Sequence, residues 1–213
     1  QLERRRTEPM GDLMTDLVEA RIDVDGDGPD EQRPLEMAEM LSIAQQLLVA
    51  GNETTTKAIT EGVMLLAQHP GVWAKLRADP AGYAPLVTEE VLRLSTPTQG
   101  MFRLVTRDTE LAGVPLPKGA RLVVVYAGAN RDPRVWGDDP DAFDPDRPNL
   151  KEHLAFGKGI HFCLGAALAR LEGRVALDEV LQRFPDWEVD WSRAKQAHNP
   201  NVRGWERLPG LTN

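Results

Sequence analysis

The stretch Phe156-Gly157-Lys158-Gly159-Ile160-His161-Phe162-Cys163-Leu164-Gly165 places the only cysteine of the chain directly before a segment of helical periodicity. A thiolate is favoured at a helix N-terminus, where unpaired N–H groups and the positive end of the dipole face it. Glycines at 157, 159 and 165 would let the backbone approach something flat and bulky. Leu164, Leu168, Leu171 and Val175 recur at helical spacing and are expected to form one apolar stripe behind the thiol. Other chemistries compete. A buried cysteine serving as a small hydrophobe fits beside a glycine-rich turn equally well. A nucleophile paired with His161 is disfavoured, because residues two apart do not readily face each other. A zinc site needs further ligands, and His69, His153 and His198 show no ligand spacing.

Two other short patterns could do chemistry. In Ala50-Gly51-Asn52-Glu53-Thr54-Thr55-Thr56, the small pair opens a notch in a helix, and the Thr54 hydroxyl could bond back to the Ala50 carbonyl and bend it. A packing notch against another helix is the plainer reading. In Glu89-Glu90-Val91-Leu92-Arg93, Glu90 and Arg93 stand at i and i+3 on one helix. On a solvated surface such a pair contributes about 0.2–0.5 kcal/mol.

The elements that must position these residues follow from periodicity. A short amphipathic helix is expected over residues 12–22, then an acidic loop, Asp23 to Pro34. The longest helical pattern runs from Leu35 to His69 and stops at Pro70. Helices over 71–78 and 85–94 come next. The period then changes, and strands are expected at 102–106 and 121–127, joined through Gly- and Pro-bearing turns. Residues 128–150 read as a long ordered loop pinned by Trp136 and Phe143. A helix over 164–184 follows, and the tail 199–213 has the pattern of a last hairpin. The fold class is mainly α with a small β part.

Composition narrows the function. Hydrophobic residues make up 41 % and charged residues 27 %, and the net charge of −8 argues against a general nucleic-acid or anionic-membrane surface. One cysteine allows no internal disulfide. Gln45, Gln46 and Gly51 interrupt the best apolar run, so no membrane segment is expected. A cytoplasmic protein is the expectation.

Taken together, Phe156, Gly157, Gly159, His161, Cys163 and Gly165 resemble the haem-binding loop of the cytochromes P450. That resemblance implies haem b, iron protoporphyrin IX, with Cys163 as the axial metal ligand. Thiolate ligation favours O–O cleavage. Other segments resemble the family in order. Ala50 and Gly51 match the oxygen-binding groove of its central helix, and Glu53 and Thr54 match the acid–alcohol pair that delivers protons. Glu90 and Arg93 match its Glu-x-x-Arg motif, with Arg147 as the third partner of a structural network. Inside a dry core, losing one such charge could cost about 3–5 kcal/mol. Arg103 and His161 match haem-propionate partners. Val49, Thr98, Met101, Phe102 and the segment Pro200 to Val202, with Asn201, match substrate-contacting positions.

The resemblance runs from about Gly11 to the end and covers only the C-terminal half of the family's fold: the long central oxygen-binding helix, the Glu-x-x-Arg helix, a small sheet, the cysteine loop and its following helix. Residues 1–213 are therefore expected to be the haem-binding portion of a single domain whose N-terminal half lies outside this chain, and to be inactive alone. Such enzymes use dioxygen to hydroxylate or otherwise oxidise a small, largely apolar substrate, reducing the second oxygen atom to water. Their electrons come from NAD(P)H through a ferredoxin reductase and a ferredoxin. Lys158, Arg170 and Arg174 could meet an acidic donor of this kind.

Two rivals follow from the residues. Asp23-Val24-Asp25-Gly26-Asp27-Gly28 opens like a calcium loop between two helices, but the twelfth position, where a bidentate Glu belongs, is Pro34. A non-catalytic haem sensor is the second, and it would have no use for Glu53 and Thr54.

Overall fold

The computed structural model describes residues 1–23, 32–184, 187–199 and 201–212. They fall into two compact units, Gln1–Ala50 and Gly51–Asn213.

The first unit opens with α1 (Leu2–Thr7) and α2 (Leu13–Glu19). Asp12 starts α2 by accepting from the Thr15 N–H at 3.0 Å, a side-chain cap for one of the free donors of the first turn. The same carboxylate takes Arg5 at 2.6 Å. Strands β1 (Arg21–Asp23) and β2 (Gln32–Pro34) pair antiparallel, with Arg21 opposite Pro34. The expected helix thus ends at Glu19, three residues early, and Ala20 is already extended. The calcium-type loop falls almost wholly on residues 24–31, outside the described residues; its ends form strands rather than helices. Leu2, Leu17, Leu35 and Met40 make this unit's core.

The long helix α3 (Met37–Gln68) enters the second unit at Gly51. Pro70 ends it and serves as the first residue of α4 (Pro70–Ala78), a position where the missing N–H has no intrahelical partner to lose. The next helix, α5 (Pro80–Ser95), starts five residues before the expected Pro85. Its start signal is Asp79-Pro80: Asp79 accepts from the Gly82 N–H at 3.0 Å, and Pro85 is taken up inside the helix.

Strands β3 (Met101–Leu104), β4 (Thr109–Leu111), β5 (Val114–Leu116) and β6 (Arg121–Val124) form two antiparallel ribbons, β3–β6 and β4–β5. Sequence reading missed β4–β5, taking its Gly and Pro residues for turns alone. Helices α6 (Tyr126–Ala129) and α7 (Pro133–Trp136) stiffen the segment read as a loop, and Trp136 and Phe143 are buried there as expected.

After the cysteine loop come α8 (Ala166–Arg183), β7 (Trp187–Val189), β8 (Lys195–Gln196), β9 (Trp205–Arg207) and β10 (Gly210–Thr212). The expected tail hairpin does not form. β9 pairs with β8 and β10 with β7, so each tail strand turns back onto an earlier segment.

The core of this unit joins α3, α4, α5 and α8 through Leu66, Leu76, Val87, Val91, Leu94 and Leu177. A Cβ on Gly173 of α8 would lie 2.9 Å from Thr88 Cγ2 of α5, so the two helices approach at a position without a side chain. This corrects the expected stripe. Leu164, Leu168, Leu171 and Val175 are exposed, Leu164 by 87 %, while Ala166 and Leu177 are buried. The face of α8 that packs on α5 is the one carrying Gly173 and Leu177, and the expected stripe lies on another face.

Candidate functional site

Cys163 is a free, half-buried thiol three residues before α8 begins. Its N–H donates to the Phe156 carbonyl at 2.9 Å, closing the loop, and its own carbonyl accepts from the Ala166 N–H at 3.2 Å in the first turn of α8. Gly157 and Gly159 have φ of +68° and +79°, where a side chain would be strained. A Cβ on Gly157 would meet the Tyr126 hydroxyl at 3.7 Å, so the loop lies against the first residue of α6. Ile160, Phe162 and Leu164 are exposed around the thiol, and so is His161.

The loop is anchored to α5 through Asn130, which is fully buried. Its Oδ1 accepts from the Leu154 N–H at 2.7 Å, and its Nδ2 donates to Thr96 Oγ1 at 2.9 Å. Thr96 caps α5 in the left-handed region, at φ +38°, a conformation that is costly for a β-branched residue. Its hydroxyl holds that turn by donating to the Arg93 carbonyl at 2.6 Å.

Glu90 and Arg93 form a two-pronged pair at 2.6 and 2.8 Å, both fully buried. Arg93 also donates to the carbonyls of Asn130, Pro140 and Ala142. Arg147 reaches Glu90 at 3.3 Å and the Trp136 carbonyl at 2.8 Å. These three residues thus tie α5 to the segment between α7 and the cysteine loop.

Sequence reasoning missed a second cluster, one step round α5. Glu89 accepts from His153 Nε2 at 3.0 Å and from Arg170 Nε at 2.5 Å. Burial would raise its carboxyl, but the hydrogen bonds from His153 and Arg170 and the Arg170 charge win, leaving it at about 2. Arg170, expected on the donor-docking face, is engaged here; Lys158 and Arg174 are exposed.

The remaining expected residues lie on α3, on β3 and shortly before it, and in the tail. On α3, Val49, Ala50, Gly51 and Glu53 are exposed and Thr54 is half-buried; nothing lies within 4 Å of a Cβ placed on Gly51. On β3, Met101, Phe102 and Arg103 are exposed, and Arg103 donates to the Phe102 carbonyl at 2.9 Å. Thr98 is bridged to Val202, and the Gln99 N–H donates to the exposed Asn201 at its carbonyl, 3.0 Å away. Pro200 lies outside the described residues. Among the described residues, no three His, Cys, Asp or Glu side chains gather to hold a metal ion, and no helix is long and apolar enough to cross a membrane.

The donor set fits a haem. A soft sulfur ligand stands in a glycine loop of positive φ, with exposed apolar side chains beside it, and Arg103 and His161 offer cationic or N–H partners for carboxylates.

Comparison with known proteins agrees with that chemistry. The cytochrome P450 family profile matches residues 82–203. The chain is 41 % identical over 208 residues to putative cytochrome P450 140 of Mycobacterium tuberculosis, covering 98 % of this chain and 46 % of that protein. It is 42 % identical over 209 residues to erythromycin C-12 hydroxylase of Saccharopolyspora erythraea, covering 97 % and 50 %. The structure of cytochrome P450 CYP109Q5 from Chondromyces apiculatus superposes with a TM-score of 0.89 at 39 % identity, over the whole of this chain and 52 % of that one. The chain spans about half the length of the relatives it matches. Matching these relatives in sequence over nearly its whole length, and in fold over all of it, the chain belongs to the cytochrome P450 family.

Proposed function

We propose that this chain carries the haem-binding part of a monooxygenase that hydroxylates, or otherwise oxidises, a small and largely apolar organic substrate. The observation that carries the proposal is Cys163: a free thiol, partly open to its surroundings, in a loop that two positive-φ glycines keep bare. Relatives whose names record hydroxylation, erythromycin C-12 hydroxylase and 6-deoxyerythronolide B hydroxylase, support the reaction class.

In this reading Cys163 Sγ holds the iron of haem b, while Arg103 and His161 hold its carboxylates. Phe156, Gly157 and Gly165 would shape the loop that receives it, and Ala50 and Gly51, two small residues of α3, would leave room for it. Bound there, a thiolate-ligated haem supplies dioxygen activation. The protein's share is positioning and proton supply. The exposed Glu53 exchanges protons with solvent, and Thr54 Oγ passes them inward. Val49, Thr98, Met101, Phe102 and Asn201 would be the substrate contacts; Phe102 and Val49, each 65 % exposed, have apolar surface to offer. Electrons come from NAD(P)H through a ferredoxin reductase and a ferredoxin, for which Lys158 and Arg174 supply exposed positive charge.

The test is optical. Haem added to the chain, reduced and exposed to carbon monoxide, should give the absorption band of thiolate ligation, and Cys163→Ser should remove it. A Cys163→Ser chain with an unchanged spectrum overturns the reading.

A further inference from the structure

Glu89 sits beside Glu90 in sequence but serves a different set of partners. His153 Nε2 donates to its Oε2 at 3.0 Å, Arg170 Nε to its Oε1 at 2.5 Å, and Arg170 Nη2 to its Oε2 at 3.0 Å. The other ring nitrogen of His153, Nδ1, accepts from the Ala155 N–H at 3.2 Å. An accepting Nδ1 carries no proton, so the hydrogen bonds select the tautomer protonated at Nε2, the one that can donate to Glu89. Glu89 and the His153 ring are both buried.

Both partners of Glu89 then close on one side chain. The Arg170 guanidinium carbon stands 4.6 Å from the centroid of the Phe156 ring. The His153 ring is tilted against it at 5.8 Å, and Phe162 meets it edge-on at 6.3 Å. Phe156 is the residue whose carbonyl receives the Cys163 N–H. A continuous path therefore runs from the α5 carboxylate, through a histidine and an arginine, to the backbone bond that fixes the cysteine.

We propose that Glu89, acting through His153, Arg170 and Phe156, is a positioning residue for Cys163. It immobilises Phe156, keeps the bond from the Cys163 amide closed, and so fixes the sulfur-bearing backbone before any ligand arrives. Supporting groups of this kind hold a metal-binding side chain in its productive direction. The metal-ligand half of the proposal rests on the haem-thiolate reading; the ordering of the loop does not.

Amide hydrogen exchange on the full chain without haem, under conditions where it is folded, tests the ordering. In Glu89→Ala the Cys163 amide should accelerate at least about tenfold more than the Val91 and Leu92 amides of α5, which register the loss of global stability alone. The Cys163 thiol should also react faster with a disulfide reagent, by a similar factor. Glu89→Gln, which keeps an acceptor for His153 but loses the charge facing Arg170, should fall between. A merely structural role would speed exchange at Cys163 and in α5 by the same factor, and that result, or an unchanged Cys163 amide, overturns the proposal. If Glu89→Ala does not fold, Arg170→Lys decides: it keeps a cation for Glu89 but loses the planar stack on Phe156. Faster Cys163 exchange in that variant supports the proposal, and unchanged exchange overturns it. A separate arm compares haem spectra of the parent chain and Cys163→Ser. An unchanged spectrum there removes the metal-ligand half, whatever the exchange shows.

Discussion

Arg93 and Glu90 meet through two hydrogen bonds in a place where neither side chain has any exposure to solvent. Both side chains have further partners: Arg93 donates to three backbone carbonyls, and Glu90 accepts from the Asp144 N–H at 2.9 Å. A buried charge left without its partner costs about 3–5 kcal/mol. Arg93→Ala should therefore remove cooperative unfolding or lower stability by about that amount in urea titration. Arg93→Lys should rescue little, because an ammonium cannot reproduce the planar fork that reaches Glu90 and the carbonyls at once.

Glu89 gives the fold an acid limit. Its carboxyl lies at about 2 in the folded chain against an ordinary value of 4.5. A depressed folded value means stability that is complete above 4.5 and is lost as pH falls towards 2. The shift corresponds to about 3 kcal/mol across that window. The unfolding free energy of the parent chain should fall through this range, and Glu89→Gln should lose that part of the slope. Equal slopes in the two proteins would show that the carboxylate is not stabilised by His153 and Arg170.

The contrast between these two neighbours shows how much could be read from sequence. Cys163 with its glycines, and Glu90 with Arg93, announce themselves because the chemistry is packed into a few residues of fixed spacing. Glu89 does not, since its partners lie 64 and 81 residues away, and only the packing of α5 on α8 and on the segment before the cysteine loop brings them near. Asn130 was silent for the same reason: its bonds to Leu154 and Thr96 span 24 and 34 residues. The mainly helical class and the long α3 followed from apolar period and proline stops. The tail strands did not, because their period was visible but the choice of β7 and β8 as partners depends on where the chain returns. On α8 the period itself misled, since the helix packs through the face of Gly173 and Leu177 while Leu164, Leu168, Leu171 and Val175 stay exposed.

Glu61 on α3 should act in the opposite sense to Glu89. It is 3 % exposed, and its Oε1 has no hydrogen-bond partner among the described residues. Burial pushes this carboxyl up, and the Arg203 charge opposes that only in part. A raised folded value means that the folded chain holds the proton more tightly, so the group's contribution is present below 4.5 and is lost as pH rises through the raised value. Glu61→Gln should therefore stabilise the chain near neutrality, by about 1–2 kcal/mol on the scale of an unsatisfied buried group. The advantage should shrink as pH falls through the raised value and be gone at 4.5, followed by thermal unfolding at a series of pH values. An advantage that grows on acidification would contradict this assignment.

Gly51 separates stability from function. It lies inside α3, exposed, and a Cβ placed on it would meet nothing within 4 Å. A glycine inside a helix costs about 0.8–1 kcal/mol relative to alanine. By helix energetics alone, Gly51→Ala should raise the unfolding free energy by about that amount, since the space for a methyl is open. If the bare position exists to leave room beside a haem, the same methyl should weaken the carbon monoxide complex of the reduced, haem-loaded chain. Urea titration of the haem-free chain and carbon monoxide titration of the haem-loaded one measure the two effects separately. Greater stability with unchanged carbon monoxide affinity would mean that Gly51 serves no ligand, and the groove assigned to Ala50 and Gly51 would have to be given up.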